Sequence, residues 1–173
     1  MTAHPVSIHP VTTHAATGRP TVLLLHGPNL DLLGEREPEI YGTATLADHV
    51  ASARAAAAAV GLELEDLQSA SEAELVAAVH GARRRCAAIV VNAGAMTHYA
   101  WSLHDALAAY DGIVVELHLS NPNGREPWRH TSVIAPVATG TIAGFKGDGY
   151  PLAITAVHRL LEVHPHPVAP PHP

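Results

Sequence analysis

The chain has 173 residues, 47% of them hydrophobic but only 4% aromatic, enough for one domain with a core of Val, Leu, Ile and Ala. Ten Lys and Arg against 16 Asp and Glu leave a net charge of -6. That balance excludes a general nucleic-acid binder, because neutralising phosphates takes clustered cations.

Residues 1–20 hold Pro5, Pro10 and Pro20, with His4, His9 and His14 at every fifth position. Such a segment buries no apolar face, and a disordered N-terminal tail is expected. "TVLLLH" (21–26) reads as a first strand, followed by a polar loop, "GPNLDLLGEREPEIYG". Over 44–60, Leu46, Val50, Ala53, Ala57 and Val60 share one helical face, and Gly61 is placed to end the helix. "LELEDLQ" (62–68) alternates like a strand. Ser71 and Glu74 make a capping box for a helix reaching about Arg85, whose late arginines, Arg83 to Arg85, suit the helix dipole. "AAIVVN" (87–92) is a continuous apolar strand, and a helix is expected near 98–110. "GIVVELHL" (112–119) is the fourth strand, a weak fifth lies within 134–143, and a last helix covers about 150–163. Residues 164–173, "HPHPVAPPHP", read as a second disordered tail.

Strands alternating with helices predict βαβ units and a single doubly wound α/β domain over 21–163, with a parallel sheet and helices on both faces. Cys86 is the sole cysteine, so a reducing compartment is expected and no cysteine-based zinc site can form. No apolar run approaches the ~20 residues that span a bilayer. The N-terminus also lacks a signal peptide's basic-then-apolar order, so a cytoplasmic location is expected.

In open α/β sheets, ligands bind beyond the carboxyl ends of the strands. Those ends here carry Asn29, then Asn92 and His98, then His118, Ser120, Asn121 and Arg129. Amides, histidines and arginines around one cleft suit a small, oxygen-rich anion. There is no P-loop, no G-x-G-x-x-G after the first strand and no G-x-S-x-G elbow. A zinc site from His98, His104 and His118 is disfavoured, because the first two, six apart, point to different sides of a helix. Neither metal nor cofactor is expected.

What remains is acid–base chemistry. Arg36 and Tyr41 sit five apart in one loop, and a permanently charged guanidinium can stabilise a phenolate as base. Taken alone, Tyr41 could equally pack its ring on the body while Arg36 pairs with Glu35 or Glu37. Glu116 and His118 are i, i+2 on a strand and share a face, where a carboxylate favours the imidazolium of a general acid. A satisfied core histidine would give the same spacing.

The combination of "GPNLDLLGEREPEIYG", "NAGAMTHYAWSLHDAL", "VVELHLSNPNGREPWRH" and "ATGTIAGFKGDGYPLAI" resembles the type II 3-dehydroquinate dehydratases, from about Val22 to Leu161. The resemblance implies a flavodoxin-like fold and dehydration of 3-dehydroquinate to 3-dehydroshikimate by anti elimination through an enolate, without metal or cofactor. Through that resemblance the activity would serve the shikimate or the quinate pathway. Tyr41 would be the base, kept ionised by Arg36 in a loop that closes over substrate. Asn29 would hold a water that stabilises the enolate, and His118 would be the acid, oriented by Glu116. Asn92, His98 and Arg129 would bind ring hydroxyls, and the Leu119 and Ser120 backbone, helped by Asn92, the substrate carboxylate. Asp105 would reach a neighbouring subunit's site in a homo-oligomer, a dodecamer of trimers. No nucleic acid or membrane partner is implied.

The sequence departs from the family pattern at His26, usually Asn, at Tyr99-Ala100, usually Thr-Ser, and at Ala70, usually Asn. None removes a proposed catalytic group. A non-catalytic binding module and an enzyme for a related cyclic polyol acid are the rival readings.

Overall fold

Five parallel strands form a sheet in the order β2-β1-β3-β4-β5, with β1 at Thr21–His26, β2 at Glu63–Gln68, β3 at Ala88–Asn92, β4 at Ile113–His118 and β5 at Gly140–Ala143. The computed structural model describes residues 18–35, 40 and 42–163. Both proposed tails, 1–17 and 164–173 in the main, and the pair Arg36 and Tyr41 lie outside the described residues. The strand order is the flavodoxin-like one, and its reversal between β1 and β3 opens a crevice at their carboxyl ends.

The central strands are apolar along most of their length because both faces are covered, and turn polar toward their carboxyl ends. On one face Leu23, Leu25, Ile89, Val91 and Val114 pack with α2 (Glu72–Ala82) and α3 (Trp101–Ala108). On the other, Val22, Leu24, Val90, Val115 and Leu117 meet α1 (Leu46–Ala59) and α4 (Gly149–Val163). Each fully buried Leu, Ile or Val in these layers contributes about 1.5–3 kcal/mol.

The helix ends differ from expectation in three places. Ser71 accepts the Glu74 amide at 3.4 Å, but the Glu74 carboxylate takes the Ser69 hydroxyl at 2.6 Å, so the box is half formed. The reciprocal box is Thr45 with Asp48 at the start of α1, at 3.2 and 2.9 Å. The helix α2 stops at Ala82, so Arg83 to Arg85 follow it rather than lying within it; Arg83 reaches Asp111 at 3.8 Å and Arg85 pairs with Glu65. The helix expected near 98–110 is split into a 3-10 turn, Gly94–His98, and α3. Tyr99 (φ -151°) and Ala100 (ψ 80°) leave helical geometry and break the ladder between them.

Candidate active site

Two loops are locked together where β1 and β3 end. The Gly27 amide donates to the Asn92 carbonyl at 2.8 Å, and a Cβ on Gly27 would lie 2.2 Å from the Ala93 carbonyl oxygen. Opposite, Gly94 takes φ +57°, and a Cβ there would sit 3.0 Å from the Pro28 oxygen. Only glycine fits such an approach. Asn29, in the left-handed region at φ 64°, opens the 3-10 turn Leu30–Leu32 and lines the cleft with Pro28 and Leu33.

The fourth strand supplies the charged pair. Alternation puts Glu116 and His118 on the same face, and His118 Nε2 lies 3.0 Å from Glu116 Oε1. Glu116 is fully buried, whereas His118 borders the cleft. The carboxylate is held on several sides. Ser132 Oγ donates to Oε1 at 2.7 Å, Thr97 Oγ1 donates to the same oxygen, and Thr141 Oγ1 donates to Oε2 at 3.4 Å. Burial pushes the Glu116 carboxyl up, but hydrogen bonds from His118 and Thr97, the imidazole's charge and the Ser132 hydroxyl outweigh it. The net displacement is below the ordinary value, so Glu116 is an anion. An ionised carboxylate only accepts, so His118 Nε2 carries the proton between them, and Nδ1 is the nitrogen left for exchange.

The remaining wall follows β3 and β4. His98 Nδ1 lies 2.7 Å from the Thr131 carbonyl, which assigns its hydrogen to that nitrogen and leaves Nε2 as an acceptor. Trp128 presses edge-on against the His98 ring at 5.1 Å, and the Arg129 guanidinium stacks 4.0 Å from the Trp128 ring. Arg129 Nε donates to Glu126 at 2.8 Å, and Arg125 Nε lies 3.4 Å from the same carboxylate. Arg125 and Arg129 both line the cleft, so guanidinium groups stand where an anionic ligand can meet them.

Asn29, Asn92, His98, His118, Leu119, Ser120 and Arg129 thus converge on one cleft, and Glu116 stands directly behind His118. Asp105 does not join them. Its side chain is 86% exposed on α3 and lines no part of the cleft. Sequence reasoning did not single out Thr97, Ser132 or Arg125. Thr97 lies inside the quoted "MTH", but nothing in the sequence signals that Ser132, 35 residues later, shares a carboxylate oxygen with it. His98 and His104 bind separate backbone carbonyls, those of Thr131 and Val133, and do not face a common centre.

A cleft at the β1/β3 switch point, with a buried Glu–His pair behind it and arginines along its wall, places this chain among the doubly wound α/β proteins of flavodoxin-like strand order. The family profile described as Dehydroquinase class II matches residues 20–158. A 3-dehydroquinate dehydratase of Jannaschia sp. (strain CCS1) is 51% identical over 141 residues, covering 82% of this chain and 95% of that protein. A 3-dehydroquinate dehydratase of Bacillus licheniformis is 48% identical over 136 residues, 79% of this chain and 94% of its own. The crystal structure of type II dehydroquinase from Butyrivibrio crossotus superposes with a TM-score of 0.79 at 36% identity, over 81% of this chain and 98% of that one. The chain belongs to the class II dehydroquinase family.

Proposed function

We propose that this chain dehydrates 3-dehydroquinate to 3-dehydroshikimate by anti elimination, with Tyr41 as base and His118 as acid. The observation that carries the reading is the buried, ionised Glu116 hydrogen-bonded to His118 at the cleft wall. The family membership and the relatives named 3-dehydroquinate dehydratase support the substrate.

In this reading the Tyr41 phenolate, held ionised by Arg36, takes the proton beside the ketone, and the electron pair moves into an enolate. A water held by Asn29 stabilises the oxyanion. The enolate collapses as the carbon–oxygen bond to the leaving hydroxyl breaks, and His118 delivers the proton that makes it water. Glu116 lowers the cost of the imidazolium and fixes its direction. Asn92, His98 and Arg129 take the ring hydroxyls, and the backbone of Leu119 and Ser120 the carboxylate. No metal or cofactor enters the scheme. Because Asp105 is exposed, it would act at the cleft of a neighbouring copy, in a dodecamer of trimers. The work belongs to aromatic amino-acid biosynthesis or quinate breakdown, in the cytoplasm.

The test is an ultraviolet assay for the conjugated enone from purified protein and 3-dehydroquinate. Turnover supports the reading. Saturable binding without enone formation would make the domain a binding module instead.

A further inference from the structure

Two hydroxyls from loops far apart in the chain meet at the carboxylate behind His118, and their hydrogens can be placed. Ser132 Oγ accepts the Ile134 amide at 3.0 Å and the Ala135 amide at 2.9 Å. Amides only donate, so both lone pairs of that hydroxyl are taken and one hydrogen is left to give. Thr97 Oγ1, 2.9 Å away, therefore has no lone pair to meet on Ser132. Its hydrogen goes to Glu116 Oε1, the acceptor it also touches. Ser132 lies closer to that same oxygen, at 2.7 Å, and a charged acceptor outcompetes a neutral hydroxyl. With His118 Nε2 at 3.0 Å, three donors converge on Oε1, whereas Oε2 takes the Thr141 hydroxyl at 3.4 Å.

This one-sided loading fixes the carboxylate. Turning it over would strip two short hydrogen bonds from a buried anion, which is costly. Neither hydroxyl is free to follow such a turn. Thr97 is fully buried and its carbonyl accepts the Val133 amide at 2.8 Å, while Ser132 is held by the turn that its own oxygen caps. The two hydroxyls also stabilise the charge: burial pushes the Glu116 carboxyl up, and Thr97 and Ser132 join His118, the ionisable group bonded to it, in bringing it down. The backbone beside Ser132 has a different task. The Thr131 carbonyl meets His98 Nδ1 at 2.7 Å and so supports the cleft wall. Side chain and backbone of this segment can therefore be separated by mutation.

We propose that Ser132 and Thr97 are positioning residues for the acid, holding the Glu116 oxygen that receives the His118 Nε2 hydrogen so that Nδ1 stays directed into the cleft. The inference rests on the proposed function for what Nδ1 protonates, though not for the carboxylate that the two hydroxyls hold. Substrate binding does not pass through either hydroxyl.

Four variants test it. Ser132→Ala and Thr97→Val each remove one donor, and Ser132→Thr and Thr97→Ser each keep it. Expected for the first two is a kcat lowered about tenfold or more, the effect of one hydrogen bond to a charged group, with KM within about twofold. The hydroxyl-keeping variants should stay within about threefold of the parent. A kcat within about threefold in both Ser132→Ala and Thr97→Val would overturn the proposal. So would a rise in KM matching the fall in kcat, with no recovery when the hydroxyl is kept. If Ser132→Ala does not fold, Thr97→Val carries the same split. Infrared spectroscopy gives a reading that needs no substrate: the carbonyl stretch of protonated Glu116, assigned by subtracting the Glu116→Gln spectrum, is followed as pH is lowered. The band should appear at higher pH in Ser132→Ala and Thr97→Val than in the parent, because burial is then less opposed. A band that appears at the parental pH in both would overturn the proposal even if 3-dehydroquinate were not the substrate.

Discussion

Glu116 is buried among hydroxyls yet ionised, and in the proposed reaction this combination would let His118 serve as the acid. Glu116→Gln keeps the shape but removes the charge, so kcat should fall by roughly 10²-fold. Near-parental turnover in that variant would show that the Glu116 charge does not serve His118. On the basic side of the reaction, Tyr41→Phe should cost ~10²–10⁴ in rate with substrate binding retained. Arg36→Ala should move the phenolate-dependent limb to higher pH. The expected site residues that line one cleft, Asn29, Asn92, His98, His118 and Arg129, leave a strand or follow it closely, where parallel-sheet topology gathers ligand groups, and that placement is what the sequence pattern could show. Thr97 and Ser132 were not legible, because a hydroxyl's partner depends on how two distant loops fold together. Asp105 entered by resemblance alone, and its exposure leaves it no role in its own cleft.

At the scale of elements, β1, β3 and β4 were readable almost to the residue because apolar runs have few alternatives in a covered sheet, whereas the short edge strand β5 could only be bracketed within 134–143. Helix ends were less so. The Thr45–Asp48 box went unseen because Asp, not Glu, closes it, while the Ser71–Glu74 pattern is diverted by Ser69. Thr45→Ala should therefore destabilise the protein by about 1 kcal/mol in chemical denaturation. The junction of the β1 and β3 loops is stricter. Gly27→Ala would push a methyl into the Ala93 carbonyl, costing about 1–3 kcal/mol and spreading the loops that carry Asn29 and Asn92. Denaturation midpoint and KM should change together in that variant. A midpoint equal to the parent's would mean that the junction yields freely.

For the whole molecule, titration of buried groups sets the acid stability. His26 is neutral in the fold, with a pKa near 4 against an ordinary 6.5, so below pH 6.5 the unfolded chain binds a proton that the native state refuses. Stability should drop as pH falls from 6.5 toward 4, by on the order of 3 kcal/mol from this residue. His49, also depressed by burial, acts in the same direction. Glu116 adds a further loss below the ordinary glutamate range, as the native carboxylate is finally protonated. Urea denaturation at pH 7 and pH 5 should show the drop, and His26→Asn should flatten it. An equal drop in that variant would assign it elsewhere. The proline- and histidine-rich ends were read from composition as dispensable, so residues 20–163 should match the full chain in turnover and oligomer size. Loss of assembly on trimming would contradict that.

The central claim is that base and acid act from opposite sides of the substrate, without a covalent intermediate. Lys146, the only lysine, is exposed and borders a second hollow with Ile40 and Gly144 instead of the cleft with His118. An imine route through it is therefore disfavoured. The most direct measurement uses 3-dehydroquinate carrying deuterium only at the hydrogen anti to the leaving hydroxyl, with the product analysed by mass spectrometry. The account predicts a 3-dehydroshikimate free of deuterium. A product that keeps the label and has lost the other hydrogen would contradict it.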